Sequence, residues 1–561
     1  MPIDKKMPVN LKEEINNRVN IHEDYLGNTL PTPYVIKDGH LQKEYEDKEG
    51  NPYYKFVSNT PPIINKRYED IETSEVNYNL FFKDGGRHVN RPVTAVEITQ
   101  KRHLLDLARY ALSVNDKNAI DMVDFISLYL SVNKPETQPV ATRLGNINGH
   151  LVHPLRQNDV KLFVHDQGYK QIANAFATRG TLEGYQKQVF DLIKNRPMVM
   201  MMFYSALGSV LLHDMSVEPF ITDLSGKTSA GKSTAQKVAA SVWGNDYLVS
   251  EWNATKVSIE RKASFLNSFP LFLDDTRKAD KYVLQQIIYN HSGGRDKGRG
   301  NITSINIEKT WENILISTGE TSIVDFGKSK AGVAARVITL QEKPFEDMDM
   351  PTLYEGIENN YGVLGLAFLD QYQSKRDDYI TKFKEVEHHF RKEAKDNEVM
   401  QRLGRPFALL QTVGQILNDI AGFQHDYKSI VKTAYQSMLR HNQSIDKPKQ
   451  LLIELLDMLD ANRLNIVGTE YGHMVSKEAW AVYKSDYLII MPHTLRKELK
   501  EEFNSIINQW VERRYIDVAN LENNRYQKQV KINGTRYRGY AIPMKLINEL
   551  GYDFSVDNHI H

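Results

Sequence analysis

The sequence of 561 residues contains no cysteine. This absence excludes disulfide bonds, thiol catalysis and cysteine-ligated zinc sites, and it fits a reducing cytoplasm, where we expect the protein to be located. The sequence also lacks an excess of charge of either sign, because it has 71 Lys and Arg residues and 71 Asp and Glu residues. Any surface that binds nucleic acid must therefore be a local feature of the chain.

Long hydrophobic runs are scarce as well. The stretch that begins at Met1 is charged and lacks the apolar segment of a signal peptide, so none is expected. One apolar run, Met198 to Leu212, spans 15 residues and includes the polar residues Tyr204 and Ser205. A bilayer crossing needs ~20 apolar residues. We therefore expect this run to form a core helix, and we expect no association with a membrane.

The most informative stretch that is present lies at residues 219–234. Phe220 to Leu224 is predicted to be a buried strand and Ala235 to Val242 a helix, and between them lies Gly-x4-Gly-Lys-Ser, the P-loop pattern in its expected setting. The glycines let backbone N–H groups point at phosphate oxygens beside a helix N-terminus. The residues predicted to bind ATP are Gly226, Ser229, Gly231, Lys232, Ser233 and Thr234. Among these, Lys232 is expected to reach the β- and γ-phosphates, and the Ser233 hydroxyl to ligate Mg²⁺.

A second motif follows the P-loop by about 40 residues. Residues 269–275 form a mostly apolar predicted strand that ends in Asp274 and Asp275, the form of a Walker B strand. A P-loop ATPase needs one acid here for the Mg²⁺ shell and a second to position or deprotonate the attacking water. We assign Asp274 to the metal and Asp275 to the water. The alternative is a strand that ends in an Asp-rich turn.

Two further predicted strands carry candidate catalytic residues. Asn313 to Thr318 ends in polar residues, and Thr318 or Ser317 is placed to contact the γ-phosphate or the water; the alternative is a strand end that caps a turn. Ala335 to Leu340 is apolar apart from Arg336. A charge at this position is expected to have a partner, and Arg336 is interpreted as an arginine finger for a neighbouring subunit. A buried structural ion pair is the alternative.

Two local clusters of cations are candidates for DNA binding. Residues 291–307 are glycine-rich and then alternate like a strand, which favours a protruding hairpin that presents Lys297 and Arg299; the alternative is a solvated loop. Residues 525–538 contain no acid, interleave Tyr526 and Tyr537, and surround an Asn-Gly turn. Their cations are Arg525, Lys528, Lys531, Arg536 and Arg538. The alternative for this hairpin is a wing that packs against protein.

The pattern along the chain predicts an α/β protein with four parts. Residues 1–140 form a β-rich and then helical N-terminal region, 141–350 the P-loop ATPase core with preceding helices, 351–444 a helical lid and 445–561 a winged-helix domain. Within the last part, helices are predicted at Gln450–Leu459, Ser476–Tyr483 and Thr494–Glu512. Arg402 and Arg405, in the helical part, are candidates for a contact to bound nucleotide.

Taken together, these residues resemble those of the MCM-like AAA+ helicases of staphylococcal cassette chromosome elements and related mobile islands. The resemblance is best over residues 140–420. It rests on the P-loop, Ser241-Val-Trp-Gly244, Asp274-Asp275, Trp311 to Glu320 with its Ser-Thr-Gly-Glu, and Ala331-Gly followed by Arg336. It implies an AAA+ P-loop core, Thr318 as sensor 1, Arg336 as arginine finger, and Lys297 or Arg299 as the hairpin cation that tracks DNA in a hexameric pore.

The sequence departs from this pattern at two positions. The second Walker B acid is often Glu and is Asp275 here, whose shorter side chain reaches less far, and sensor 1 is commonly Asn where Thr318 stands. The implied function is ATP- and Mg²⁺-dependent unwinding of single-stranded or forked DNA for replication of a mobile element, with self-association into a ring and possible contact with other replication proteins of the element. The alternatives are a replication initiator or assembly switch that does not unwind DNA, and a packaging or transposition ATPase.

Overall fold

The computed structural model describes residue 24 and residues 26–156, 160–226, 231–296, 308–326, 333–395, 397–443, 447–468, 479–518, 526–532 and 534–554. The chain divides into two compact units. The first comprises the described residues of Met1–Phe326, Arg336–Glu393 and Leu403–Tyr435, and the second those of Gly327–Ala335, Ala394–Arg402 and Gln436–His561.

The described residues of the N-terminal part of the first unit form two sheets and three α-helices. One antiparallel sheet has the order β1-β2-β3, with strands β1 (Tyr34–Lys37), β2 (His40–Glu46) and β3 (Pro52–Ser58). The other has the order β10-β7-β4-β5-β6, with strands β4 (Ile63–Asp70), β5 (Val76–Asp84), β6 (Arg87–Thr94), β7 (Thr137–Ala141) and β10 (Lys161–Leu162). The helices are α1 (Ala95–Thr99), α2 (Lys101–Leu105) and α3 (Ala119–Val132).

Local chemistry explains where these elements begin and what they pack against. Helix α1 begins at a capping box, in which the Thr94 hydroxyl accepts from the Glu97 N–H and the Glu97 carboxylate accepts from the Thr94 N–H. Alternate residues of β5, Leu80 and Phe82, are buried against Phe125 of α3 in one apolar cluster. A short hairpin, β8 (Gly145–Ile147) and β9 (His150–Val152), follows β7.

A helical segment leads to the P-loop strand. Its helices are α4 (Gln167–Ala175), α5 (Leu182–Tyr185), α6 (Asp191–Ile193), α7 (Pro197–Gly208) and α8 (Leu212–Met215). The run Pro197–Met215 is long and apolar enough to cross a membrane by length and composition, but 89% of its apolar window is buried inside the protein. Within this run, the Ala206 carbonyl accepts a 2.8 Å hydrogen bond from the Trp243 indole. The apolar run therefore forms a core helix, as the sequence analysis expected.

A five-stranded parallel sheet forms the centre of the first unit. Its order is β12-β13-β14-β11-β15, with strands β11 (Ile221–Ser225), β12 (Val249–Glu251), β13 (Leu271–Asp274), β14 (Leu315–Gly319) and β15 (Val337–Leu340). Helices α9 (Lys232–Ala240), α10 (Lys256–Leu266) and α11 (Lys281–Ser292) connect them. The four strands predicted at residues 220–224, 269–275, 313–318 and 335–340 are present as β11, β13, β14 and β15, within two residues of their predicted bounds. Because the strands are parallel, their carboxyl ends meet at one edge, where ligands bind in open α/β sheets.

The chain then becomes helical through residue 443, as the pattern predicts. The helices are α12 (Met350–Asn359), α13 (Val363–Ser374), α14 (Arg376–Ala394), α15 (Glu398–Asn418) and α16 (Tyr427–Gln443). Close packing positions α7 against this segment, because a Cβ added at Gly208 would lie 3.0 Å from the Val413 side chain. Glycine at position 208 therefore allows α7 to pack closely against α15.

The second unit combines helices with a mixed sheet of order β16-β17-β18-β20-β19. Its strands are β16 (Ile466–Val467), β17 (Ala481–Lys484), β18 (Tyr487–Ile490), β19 (Lys528–Ile532) and β20 (Thr535–Pro543). Its helices are α17 (Lys447–Ala461), α18 (Pro492–Leu499), α19 (Phe503–Glu512) and α20 (Met544–Glu549). The predicted hairpin is present, with Lys531 opposite Arg536 and Gln529 opposite Arg538.

One predicted helix in this unit is wrong. Within the described part of Ser476–Tyr483, residues from Ala481 onward form strand β17. Strand β17 lies between β16 and β18, and its neighbouring residues face two different apolar clusters, Ala481 one and Val482 the other. A strand that is covered on both faces lacks the apolar–polar alternation that would have distinguished it from a helix.

Candidate functional site

The P-loop joins the carboxyl end of β11 to the start of α9. Gly231 precedes α9 with a φ of 84°, in the left-handed region, and a Cβ at this position would lie 2.6 Å from the ring of Phe345. Both the backbone conformation and the contact require glycine. Of the residues predicted to bind ATP, Ser229 lies outside the described residues.

Lys232 and Thr234 lie in the first turn of α9. The Lys232 ammonium donates a 3.0 Å hydrogen bond to the Gly226 carbonyl, so its side chain reaches back across the loop. Thr234 is buried, and its hydroxyl lies 2.7 Å from the hydroxyl of Tyr354 in α12. The first helix after the parallel sheet therefore contacts the helix that follows the P-loop.

Asp274, at the end of β13, is the point at which three motifs meet. Its Oδ1 accepts a 3.1 Å hydrogen bond from the Ser233 hydroxyl and a short one from the Thr318 hydroxyl. The parallel pairing of β13 and β14, with Leu273 opposite Ser317, places Thr318 beside this carboxylate. The structure thus brings together both predicted metal ligands and the predicted sensor residue, from positions up to 85 residues apart in the sequence.

Asp275 is held by a guanidinium that the sequence analysis missed. Arg277 Nε and Nη2 donate to the two Asp275 carboxylate oxygens at 3.0 and 3.2 Å, and Nη1 donates to Glu320 at 2.7 Å. The hydrogen bonds from Arg277 lower the pKa of Asp275. Asp275 therefore stays ionised and is a weak proton acceptor. The signals for this cluster were the Arg two residues after the second acid and the Glu of Ser-Thr-Gly-Glu.

A glycine positions Glu320. A Cβ at Gly319 would lie 1.9 Å from the Thr276 hydroxyl, so no larger residue fits between Thr318 and Glu320. The Asp275 N–H in turn donates to the Thr318 hydroxyl at 3.3 Å. The ends of β13 and β14 are therefore locked together at the predicted catalytic position.

A carboxyl group buried inside the sheet anchors the loop that follows β14. Asp223, in the centre of β11, is fully buried, and its Oδ2 accepts a 3.0 Å hydrogen bond from the Ile323 N–H. Burial raises the pKa of Asp223 to about 6, against the opposing effect of the hydrogen bond from the Ile323 N–H. The sequence analysis gave this residue no role.

Two cavities open at the P-loop. The larger, of about 1150 Å³, is lined by the two ends of the P-loop, by Glu320 to Ser322, and by the segment from Gln341 to Met350 that contains Phe345. The smaller, of about 200 Å³, is lined by Ser233, Asp274, Asp275, Arg277, Lys278 and Thr318. Lys232 lines both cavities. The smaller one has the size and charges of a phosphate–metal site, and the larger one has room for a nucleoside.

Arg336 lies at the opposite edge of the sheet from the P-loop. Strand β15 runs parallel to β11 with Val337 opposite Ile221, so Arg336 precedes the amino edge, and its carbonyl accepts a 2.9 Å hydrogen bond from Ile221. Its guanidinium lies 5.3 Å from the ring centroid of Tyr289. Since β11 is about 13 Å long at its usual rise per residue, the P-loop of the same chain is out of reach of Arg336.

The predicted DNA-binding cations fall into three groups. Lys297, Arg299 and Arg525 lie outside the described residues. Lys531, Arg536 and Arg538 are exposed on the β19–β20 hairpin. Lys528 instead forms a 2.7 Å ion pair with Asp517, which raises its pKa although burial acts in the opposite direction. Lys528 is therefore already neutralised within the chain.

The two arginines proposed for nucleotide contact differ in placement. Arg405 donates a 3.0 Å hydrogen bond to the Met215 carbonyl and lies 3.4 Å from a Glu387 carboxylate oxygen. These contacts fix it between helices, and it lines neither cavity at the P-loop. Arg402 belongs to the second compact unit.

Comparisons with known proteins indicate which fold this chain resembles. A domain family described as a domain of unknown function, DUF927, matches residues 35–310. No curated protein sequence matches the chain. A solved structure described as "SCCmec type IV Cch - active helicase" has a TM-score of 0.68 at 19% identity, over 93% of this chain and 99% of that one. The apo C-terminal region of NrS-1 is similar at a TM-score of 0.29 and 10% identity, over 85% of this chain and 96% of that one. The chain thus has a mixed α/β fold similar to that of a protein described as an active helicase.

Proposed function

We propose that the chain is a Mg²⁺-dependent ATPase of the MCM-like AAA+ class that unwinds DNA. The observation that carries the proposal is the convergence of Ser233 and Thr318 on one oxygen of Asp274, in a cavity that Lys232 also lines. A hydroxyl from the P-loop helix and a carboxylate from the end of β13 are the donor set of a Mg²⁺–nucleotide site. ATP and Mg²⁺ are accordingly the proposed substrate and cofactor.

The residues at the site fit both groups. Ser233 and Asp274 would hold Mg²⁺, and Gly226, Gly231 and Lys232 would surround the phosphates. Position 231 must be glycine, because Phe345 leaves no space there for a side chain. When bound, the metal would polarise the phosphoryl oxygens. Lys232 supplies a positive charge at the β- and γ-phosphates.

The attacking water would be oriented by a cluster of three charged residues, Asp275, Arg277 and Glu320. Because Arg277 holds both oxygens of Asp275 and keeps it ionised, Asp275 acts in this proposal by accepting a hydrogen bond from the water. Deprotonation by Asp275 is disfavoured, since a carboxylate of lowered pKa is a weak base.

The proposal requires a second copy of the chain. Arg336 lies at the amino edge of the sheet, and the length of β11 separates it from the P-loop of its own chain. As an arginine finger it would therefore act on the nucleotide of a neighbouring subunit. A closed ring, expected to be a hexamer, provides every site with such a neighbour. An isolated copy should then hydrolyse ATP slowly.

The DNA-binding part of the proposal rests on surface charge and on the fold. Exposed cations line one face of the β19–β20 hairpin, which we interpret as the wing of a winged-helix domain. The solved structure with the similar fold is described as an active helicase. We further propose that the protein acts in the cytoplasm, in replication of a mobile genetic element, alongside other replication proteins of that element.

A forked-duplex assay tests the function. The wild-type chain and Lys281→Ala, which removes an exposed lysine away from both cavities, should release the displaced strand in ATP and Mg²⁺, and Lys232→Ala should not. If DNA stimulates ATP hydrolysis but no strand is released, the initiator or assembly switch would replace the helicase as the proposed function. Absence of ATP turnover by the wild-type chain would overturn the proposal.

A further inference from the structure

A third cavity in the first unit has no role in the nucleotide site. It has a volume of about 700 Å³ and lies between α4, the turn Asp246–Leu248 and α10. We name it the α4–α10 cleft. Its lining includes Asp166, Tyr169, Asp246, Tyr247, Arg261 and Lys262. Val249 and Ser250 belong to β12, the edge strand of the parallel sheet.

The acidic groups of the cleft are already paired. Asp166 caps α4, where its carboxylate accepts from the N–H groups of Gly168 and Tyr169 at 2.8 and 3.2 Å. Asp246 lies 3.5 Å from the Lys237 ammonium. Both carboxylates are therefore engaged in contacts other than an ion pair with Arg261 or Lys262.

The cations of the cleft have no such partners. Arg261 is exposed, and the Lys262 ammonium donates a 2.9 Å hydrogen bond to the uncharged Ser250 hydroxyl. Among the described residues, neither forms an ion pair. Burial of Lys262 lowers its pKa. Arg261 and Lys262 therefore present to the cleft two cations without a carboxylate partner among the described residues, which are complementary to an anion.

Aromatic and apolar surface accompanies this charge. The Tyr247 side chain is 73% exposed, and Val257 is exposed beside it on the cleft. Tyr169 is fixed by stacking on Phe265, with ring centroids 4.5 Å apart and planes within 9°. Cations next to exposed aromatic faces are the combination with which proteins bind single-stranded nucleic acid without sequence preference.

Arg261 also acts electrostatically on a residue beside the segment predicted to be a DNA-binding hairpin. Burial, and then the positive charge of Arg261, lower the pKa of Lys309, which follows that segment in the sequence. Residues 295 and 310 pair by an isolated bridge on either side of the predicted hairpin.

From this arrangement we propose that the α4–α10 cleft binds single-stranded DNA, with Arg261 and Lys262 on its phosphates and Tyr247 stacked on a base. This rests on the proposed DNA-binding function and adds a contact surface to it. The commitment to nucleic acid over an acidic peptide follows from Tyr247, because a peptide carboxylate needs the cations and not an exposed ring.

Fluorescence anisotropy of the full chain tests the proposal, with a labelled dT oligonucleotide of about 20 nucleotides. Arg261→Gln should raise Kd several-fold and reduce the slope of log Kd against log salt by about 1. Tyr247→Ala should raise Kd about tenfold with little change in the slope. The matched controls are Arg102→Gln and Tyr282→Ala, which change exposed residues outside the cleft. ATP turnover without DNA should remain at the wild-type rate in all four variants.

The outcomes separate this inference from the proposed function. Tight DNA binding by the wild type together with wild-type Kd and salt slope in Arg261→Gln and Tyr247→Ala would overturn the cleft and leave the helicase proposal in place. If Arg261→Gln loses binding, Tyr247→Ala does not, and polyglutamate displaces the labelled oligonucleotide as well as unlabelled DNA does, the stacked base would be ruled out. The cleft would then be a general surface for polyanions. A wild-type chain that binds no DNA would remove both proposals.

Discussion

The carboxylate of Asp223, in the middle of the P-loop strand, accepts a 3.0 Å hydrogen bond from the backbone N–H of Ile323. Ile323 begins the turn that follows Glu320, so a side chain inside the sheet fixes the loop that borders the predicted catalytic position. A fully buried carboxyl is costly in its ionised form, which is why its pKa lies at about 6.

Asp223→Asn should change the pH dependence of stability. The folded-state pKa is above the ordinary value of 3.8, so the contribution of Asp223 to stability is present below that value and is lost as pH rises through about 6. The total loss is about 3 kcal/mol. The Asn amide oxygen can still accept from Ile323 and does not ionise. The melting temperature of the variant relative to wild type should therefore rise between pH 5 and pH 7.5.

Asp84→Asn, which changes an exposed carboxyl, is the control for this measurement. A difference in melting temperature that is the same at both pH values would show that Asp223 titrates outside this range, and the account of its burial would then be wrong.

Thr318→Val should slow ATP hydrolysis. The substitution keeps the shape of the side chain but removes the hydroxyl that donates to Asp274 and accepts from the Asp275 N–H. A hydrogen bond to a charged group contributes about 1.5–3 kcal/mol, which corresponds to roughly a 10- to 150-fold lower kcat. Thr318→Ser, which keeps the hydroxyl, should retain most of the activity. Equal rates for the Val and Ser variants would show that the hydroxyl has no catalytic role.

Arg277→Ala should lower kcat by about tenfold or more and leave KM for ATP nearly unchanged, because Arg277 orients Asp275 and forms its hydrogen bonds with Asp275 and Glu320. Arg277→Lys should be intermediate, since a lysine cannot hold both carboxylate oxygens. If Glu320 acts only through Arg277, the double variant with Glu320→Gln should be no slower than Arg277→Ala alone. Additive losses in steady-state assays would assign Glu320 a contact of its own.

The sequence predicted the parallel sheet well because each strand is short, apolar and bounded by turn residues. It also predicted that Lys232, Ser233 and Asp274 act together, since the strand–loop–helix pattern and the Walker B form each have a specific spacing. The arrangement of Thr318 beside Asp274 follows from parallel pairing of β13 and β14.

Residues that act through tertiary contacts were beyond sequence reasoning. Arg277 and Glu320 are 43 positions apart and meet only because β13 and β14 are neighbours. Asp223 is the charged residue of a short strand that also contains Thr222 and Ser225, and nothing in the sequence indicates that Ile323 is its partner. Strand β17 was predicted as a helix because both of its faces are buried, and a pattern of period 2 then disappears.

Lys531→Glu should separate stability from DNA binding in the second unit. Lys531 lies directly opposite Arg536 across the hairpin, and like charges in such a pair are destabilising. The variant should therefore melt about 1–2 °C higher while its affinity for DNA falls. Weaker DNA binding accompanied by a lower melting temperature would indicate a structural role for Lys531 instead.

The account depends most on a nucleotide site that two copies of the chain complete, and a mixing experiment tests this directly. Lys232→Ala and Arg336→Ala should each be nearly inactive as ATPases, because one lacks the phosphate-binding lysine and the other the residue supplied to its neighbour. In an equal mixture, half of the subunits have an intact P-loop and half of their neighbours an intact arginine, so roughly a quarter of the wild-type rate should return. A mixture that stays as inactive as its components, or an Arg336→Ala variant that turns over ATP at the wild-type rate by itself, would contradict the account.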